Sequence, residues 1–182
     1  RNPALLNSQN MNRPALMAIE VEKTRRGHSI ALRHNLFRVP AVWLFDAQTG
    51  VAEFERVTDV VPLRRRAREV LQHEDLAELL ASVLATIHRE LLLPPEMHHP
   101  LPEGYRDDRH ASVCLHGDYT GYNILVPPNL EVPVVTDWLT SSRVGDAVTI
   151  GTPMFDIFWF IRWWYLIPDV FIRGGNAVDS FC

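Results

Sequence analysis

His116-Gly117-Asp118-Tyr119-Thr120-Gly121-Tyr122-Asn123-Ile124-Leu125-Val126, a Pro-rich turn, and then Val132-Pro133-Val134-Val135-Thr136-Asp137-Trp138 form the stretch whose reading decides the fold. Val113, Cys114 and Leu115 precede it as a further apolar run. Short apolar runs bounded by Gly, Pro and Asn predict strands, and the polar residues between them predict a loop that those strands hold. Gly117 permits a sharp turn directly before Asp118. Pairing of 124–126 with 132–136 predicts a hairpin. That hairpin would bring Asn123, where one strand opens, towards Asp137, where the other closes.

An amide oxygen and a carboxylate converging in this way make a hard, oxygen-only site suited to magnesium. Asp118 then stands beside it as a free carboxylate able to orient or deprotonate a hydroxyl. This is the layout of a kinase-type phosphotransferase. An Asp and an Asn five residues apart carry little weight alone, because turns use Asp, Asn and Gly anyway. The weight lies in the sum: His-Gly-Asp after one strand, Asn opening a second, and Asp-Trp ending a third.

On these residues the chain resembles the aminoglycoside phosphotransferase-like family, which has a protein-kinase-like fold. His116-Gly117-Asp118, Asn123 and Thr136-Asp137-Trp138 match the family pattern, and Asp137 stands where protein kinases have the Asp of Asp-Phe-Gly. The resemblance implies an α+β chain with a partial N-lobe over 1–58 and the core of a mainly helical C-lobe over 59–182. It implies Asp118 as the catalytic residue, Asn123 and Asp137 as magnesium ligands, and ATP as phosphoryl donor to a small-molecule hydroxyl. It also implies a hinge at residues 55–58, where backbone groups at Glu55 and Val57 would hold the adenine.

Composition is compatible with this. The chain has 182 residues, is 47% hydrophobic and carries a net charge of −4, enough for one domain with a core or two small lobes. Arg64-Arg65-Arg66 is the densest basic run, and it reads as the solvated start of a helix; no nucleic-acid partner is expected. Cys114 and Cys182 give no disulfide framework. Cys114 in an apolar strand predicts a buried thiol, compatible with a reducing cytoplasm, and a cytoplasmic protein without signal peptide is expected. Residues 154–172 are rich in Phe, Ile and Trp, but Asp156, Arg162, Asp169 and Pro168 make a membrane span costly there. A buried helix is expected instead, and the Trp and Phe residues near the C-terminus call for a protein partner or further chain to cover them.

Outward from the central stretch, residues 15–34 predict a helix that Gly27 ends or kinks. In the resembling family a helix here bears a Glu that pairs with the nucleotide-binding Lys; Glu20 and Glu22 are both candidates. Residues 39–46 and 51–57 predict two strands around the turn Gln48-Thr49-Gly50. Residues 63–92 predict mostly helix, with a stripe of Leu76, Leu79, Leu80, Val83, Leu84 and Ile87 and Asp75 as a capping residue. His88 reads as a packing residue at its end. His98, His99, His110, Cys114 and His116 invite a zinc site, but their spacing fits no zinc pattern. Residues 139–153 predict a loop. Asp156 then opens an apolar helix, where a carboxylate suits the helix dipole and can accept N–H bonds from the catalytic loop. Tyr119 and Tyr122 are compatible with a cationic or sugar-like acceptor.

The chain departs from the family in two ways. Little precedes the first helix where a phosphate-covering loop and a lysine-bearing strand belong, and the chain stops at Cys182, so it reads as truncated at both ends. Its only lysine, Lys23, lies inside the first helix and cannot serve as the strand lysine. These departures favour a second reading, a catalytically impaired nucleotide-binding or pseudokinase-like fragment acting through a protein partner.

Overall fold

A computed structural model of the chain describes residues 13–66, 74–107, 109–145 and 147–162. The first element is helix α1, Arg13–His34. Its Ala, Leu, Met, Glu and Lys content favours helix, and Arg33 and His34 suit the negative end of its dipole. Asn35, at φ 54°, closes it by donating its N–H to the Ala31 carbonyl at 2.9 Å. Gly27 does not end α1, which runs on unbroken to His34. The sequence expectation fails because this glycine serves packing: a Cβ there would lie 2.5 Å from the Trp138 ring.

Strands β1 (Val42–Asp46) and β2 (Val51–Phe54) form an antiparallel hairpin around a turn closed by Gly50, whose φ is 69°. Both are shorter than the sequence suggests, because Val39 and Pro40 are buried ahead of β1 and Glu55 begins the connection after β2. Strand β3 (Val61–Pro62) leads into a 3-10 turn, Leu63–Arg66. Two of the arginines there make contacts with the chain. Arg66 donates to the carbonyls of Pro127 and Pro128, and the Arg64 guanidinium lies 4.5 Å over the Tyr122 ring. Residues 67–73, where part of the predicted helix falls, lie outside the described residues.

Helix α2 (Glu74–Glu90) buries Leu76, Leu80, Val83, Leu84 and Ile87, the stripe read from spacing. Asp75 falls inside its first turn rather than before it. Each such side chain contributes about 1.5–3 kcal/mol when fully buried. Two 3-10 turns follow, Pro95–Met97 and Glu103–Tyr105.

The predicted hairpin forms as β5 (Ile124–Val126) with β6 (Val134–Val135), in antiparallel register Ile124 to Val135 and Leu125 to Val134. β3 pairs with the other edge of β5, giving the order β3-β5-β6. The run before His116 forms β4 (Val113–Cys114), and Cys114 is buried as expected. Its partner is β7 (Ile150–Gly151), inside the segment expected to be loop throughout. A two-residue strand leaves no periodic trace, which is why the sequence did not reveal it.

Helix α3 (Met154–Ile161) buries Phe155, Asp156 and Phe160, while Met154, Phe158 and Ile161 are exposed. It is therefore buried on one face only. The remainder of the predicted apolar helix lies outside the described residues. Among those described, no helix is long and apolar enough to cross a membrane. One buried cluster draws on both sides of position 58: Ile30, Phe37 and Val39 share it with Leu80, Ile87, Tyr119, Ile124 and Trp138.

The packing at Gly27 gives a first test. Gly27→Ala should improve helix propensity by about 1 kcal/mol. The clash with Trp138 reverses the sign, and a net loss of about 1–3 kcal/mol is expected in denaturant unfolding.

Candidate active site

The site is built on the main chain of His116 and Gly117. Asp156, buried in the first turn of α3, accepts both amides: His116 N–H on Oδ2 and Gly117 N–H on Oδ1, each at 2.8 Å. His88 Nε2 meets Oδ2 at 2.9 Å. Burial by itself pushes the Asp156 carboxyl up; the His88 ring and the Gly117 amide outweigh it and hold the group below the usual carboxylate range. Asp156 and His88 thus take the structural parts read for them. Gly117 has φ 95°, and a Cβ there would lie 2.7 Å from the Thr140 Cα, so the turn before Asp118 admits only glycine.

His116 is fully buried, 4.7 Å from the Trp138 ring and 5.5 Å from that of Tyr119. Burial, with Lys23 and His88 nearby, pulls its pKa down to about 3. The ring is therefore neutral. Its Nδ1 accepts the Asp118 N–H at 3.3 Å, which puts the proton on Nε2 and makes the residue a support for the loop backbone.

Asp118 and Asn123 meet directly. Asn123 Nδ2 donates to the Asp118 carbonyl at 2.9 Å and to its Oδ2 at 3.0 Å. This occupies both amide protons and leaves Oδ1, which accepts no hydrogen bond among the described residues. The turn before Asn123 is closed by Thr120, whose carbonyl accepts the N–H groups of Asn123 and Ile124 at 3.0 Å. Thr136 in turn donates its N–H and its hydroxyl to the Asn123 carbonyl, at 2.9 and 3.0 Å. Asp137, the next residue, is thereby tied to Asn123 through one peptide, as the hairpin predicted. Its φ is 55°, a left-handed conformation that Asp tolerates better than most residues. Burial pushes the Asp118 carboxyl up to about 6, and repulsion from Asp137 and Asp156 adds to this against the Asn123 bond.

A cavity of about 420 Å³ lies beside Asp137, within the range of small-molecule pockets. Pro40, Phe54, Val57, Leu125 and Trp138 supply apolar walls, and Glu20, Thr24, Glu55, Thr136 and Asp137 supply polar ones. Glu55 and Val57, placed at the hinge by resemblance, thus share one cavity with Asp137. The Glu55 N–H is already given to the Ala41 carbonyl at 2.8 Å. Its carboxylate accepts the Ala41 N–H and an Arg38 contact. The Val57 N–H and C=O make no bond among the described residues.

Glu20 and Glu22 are told apart by the fold. Glu20 lines the cavity, and its Oε1 accepts the Trp138 N–H at 3.1 Å. Glu22 pairs with Arg26 along the helix at 2.6 Å. Burial pushes the Glu20 carboxyl up, with Asp137 adding to it against the Trp138 amide; burial also raises Asp137, against the Leu139 amide and Lys23. Glu20 and Asp137, both in the cavity wall, are hard oxygen donors of the kind a divalent cation takes. The zinc idea finds no support. His98 is bonded to the Leu93 carbonyl and His110 to Asp107, and among the described residues no group of three His, Cys, Asp or Glu side chains is placed to hold a metal ion.

One sequence reading is corrected. Tyr119 does not face an acceptor: it is fully buried and its hydroxyl donates to the Leu80 carbonyl at 2.9 Å. Lys23, set aside as a helix residue, is fully buried and donates from Nζ to the His116 carbonyl at 2.8 Å. Its signal in the sequence is its spacing, four residues from both Ile19 and Gly27 on the buried face of α1.

No family model and no curated protein matches the chain. Among solved structures it is similar to the crystal structure of a choline/ethanolamine kinase family protein from Mesorhizobium loti, with a TM-score of 0.56 and 15% sequence identity. The match covers 92% of this chain and 61% of that one. The fold is protein-kinase-like. At this identity the likeness is one of fold, an α+β arrangement, and the aminoglycoside phosphotransferase-like family in particular is carried by the His-Gly-Asp, Asn and Asp-Trp residues alone. The chain spans less than two thirds of the length of that structure.

The raised Asp118 carboxyl makes a stability prediction. A carboxyl that titrates near 6 when folded and near 3.8 when unfolded supports the fold fully below pH 3.8 and loses that support as pH rises through 6. Asp118→Asn should therefore raise the melting temperature at pH 7.5, with the difference closing below about pH 4. Melting curves across that range read it directly.

Proposed function

We propose that the protein is a kinase-like phosphotransferase that moves the γ-phosphoryl group of ATP to the hydroxyl of a small molecule. The observation that carries this reading is the bonded set Asp118–Asn123–Thr136, which joins a poised carboxylate and an unused amide oxygen to the strand end carrying Asp137, and Asp137 lines a nucleotide-sized cavity. The strands around Glu55 and Val57 form the adenine side of the cleft, and the hairpin β5–β6 forms the other. Val57 offers unspent backbone groups to a purine edge, and Phe54 and Leu125 line the same cavity.

Asn123 Oδ1 and Asp137 would hold magnesium, which when bound neutralises phosphate charge and keeps the transferring group in line. Asp118 orients the acceptor hydroxyl and takes its proton while that oxygen bonds phosphorus and the bridging P–O bond to ADP breaks. A carboxyl titrating near 6 is ionised at neutral pH yet basic enough to share a proton in the transition state. Positioning and charge neutralisation supply most of the acceleration.

A second reading has its own support. The one lysine of this sequence is committed to the His116 carbonyl and not to the cavity wall. On that reading the protein binds a nucleotide without transferring it and acts through a protein partner. A phosphotransfer and ATP-hydrolysis assay with magnesium, beside a nucleotide-binding titration, separates the two: binding without turnover selects the second.

For the first reading, Asp118→Ala should nearly abolish turnover while leaving the nucleotide Kd unchanged, and retained activity would remove Asp118 from its part. Asp137→Ala should abolish the magnesium dependence of nucleotide binding in calorimetric titration. kcat/KM should fall as pH drops through about 6, a limb that reports Asp118.

A further inference from the structure

The geometry points to a part for Lys23 that the motif does not give it: we propose that Lys23 is a positioning residue, tying helix α1 to the loop that carries Asp118. Its kinetic consequence rests on the phosphotransfer reading; its geometry does not.

A fully buried ammonium costs several kcal/mol in desolvation, and an apolar side chain of similar size is often the more stable choice. Lys23 Nζ is spent on one main-chain carbonyl, that of His116. The same residue's N–H is held by Asp156 Oδ2, and the following N–H, that of Gly117, by Asp156 Oδ1. The backbone entering Asp118 is therefore gripped from both sides, by a carboxylate from α3 and an ammonium from α1.

The helix grips the other catalytic segment as well. One turn before Lys23, Glu20 accepts the N–H of Trp138, next to Asp137. One turn after it, Gly27 admits the Trp138 ring, which packs on the His116 ring. Three successive turns of α1 thus hold both the Asp137–Trp138 and the His116–Gly117 segments. The separation between Asp118 and Asp137 is set through a single rigid element, and Lys23 is the polar link from that element to the base loop.

Lys23 is the chain's only lysine, so 15N-labelled lysine gives one side-chain signal. With 13C-carbonyl histidine, a coupling across the hydrogen bond between Lys23 Nζ and the His116 carbonyl is expected in the unaltered protein. No coupling, with the Nζ protons exchanging as fast as those of free lysine, overturns the proposal without any variant. In Lys23→Met and Lys23→Gln, the single-turnover rate per titrated nucleotide site should fall, on the order of 10²-fold for Met and less for Gln, which keeps an N–H donor. Nucleotide Kd should move by less than about threefold. Amide exchange at Gly117 and Asp118 should quicken while that of α2 stays as it was. A lysine that merely fills space would leave turnover per folded molecule and the 117–118 amides unchanged, and that result overturns the proposal. Should the unaltered protein transfer no phosphoryl group to any alcohol or to water, the coupling and the amide exchange still decide the brace, so the two failures are told apart.

Discussion

The grip of Asp156 on the amides of His116 and Gly117 is the constraint on which the rest of the site depends. A carboxylate with no solvent exposure is unfavourable unless its oxygens are saturated with donors. Here two backbone N–H groups and the His88 ring do this. Three parts of the fold meet here: α2 brings His88, the end of β4 brings the two amides, and α3 brings the accepting carboxylate. The pairing of β4 with β7 runs the chain back to the start of α3, so the short strand at Ile150–Gly151 delivers Asp156 to its partners. Removing one partner would leave buried, unpaired groups, each costing roughly 1–3 kcal/mol.

Around that grip the site accumulates negative charge. Glu20, Asp118 and Asp137 all have their carboxyls pushed up, while burial pulls Lys23 down to about 8 against the attraction of Asp156 and Glu20. His116 is neutral and adds no cation. Burial is the main cause of each upward shift, and repulsion from Asp137 adds to it at Glu20. Burial likewise lifts Asp118 to about 6, with repulsion from Asp137 and Asp156 adding to it against the Asn123 bond.

The residues that the sequence misjudged share a physical cause. Gly27 was read by helix propensity, but its occupancy is decided by an indole ring from the far end of the hairpin. Tyr119 was read as compatible with a cationic or sugar-like acceptor, but it bonds the Leu80 carbonyl and packs on Phe160. Lys23 was read only as a helix residue that cannot serve as the strand lysine, and its bond to the loop carbonyl went unread. In each case the neighbour that matters lies far along the chain, and propensity carries no information about it.

The sequence by itself determined the local pieces: the stripe of α2, the β5–β6 hairpin, the glycine turn before Asp118, and the approach of Asn123 to the residue before Asp137. These are legible because their contacts lie within about one or two elements of each other, so residue type and period specify them. Only the tertiary structure decided that Glu20 rather than Glu22 faces the cavity, that Glu55, Val57 and Leu125 share it, and that Lys23 bonds the His116 carbonyl 93 residues away. A helix with polar residues on several faces does not announce which face the core will cover. That is fixed by what packs against it, here an indole, a neutral imidazole and a loop carbonyl from the second half of the chain.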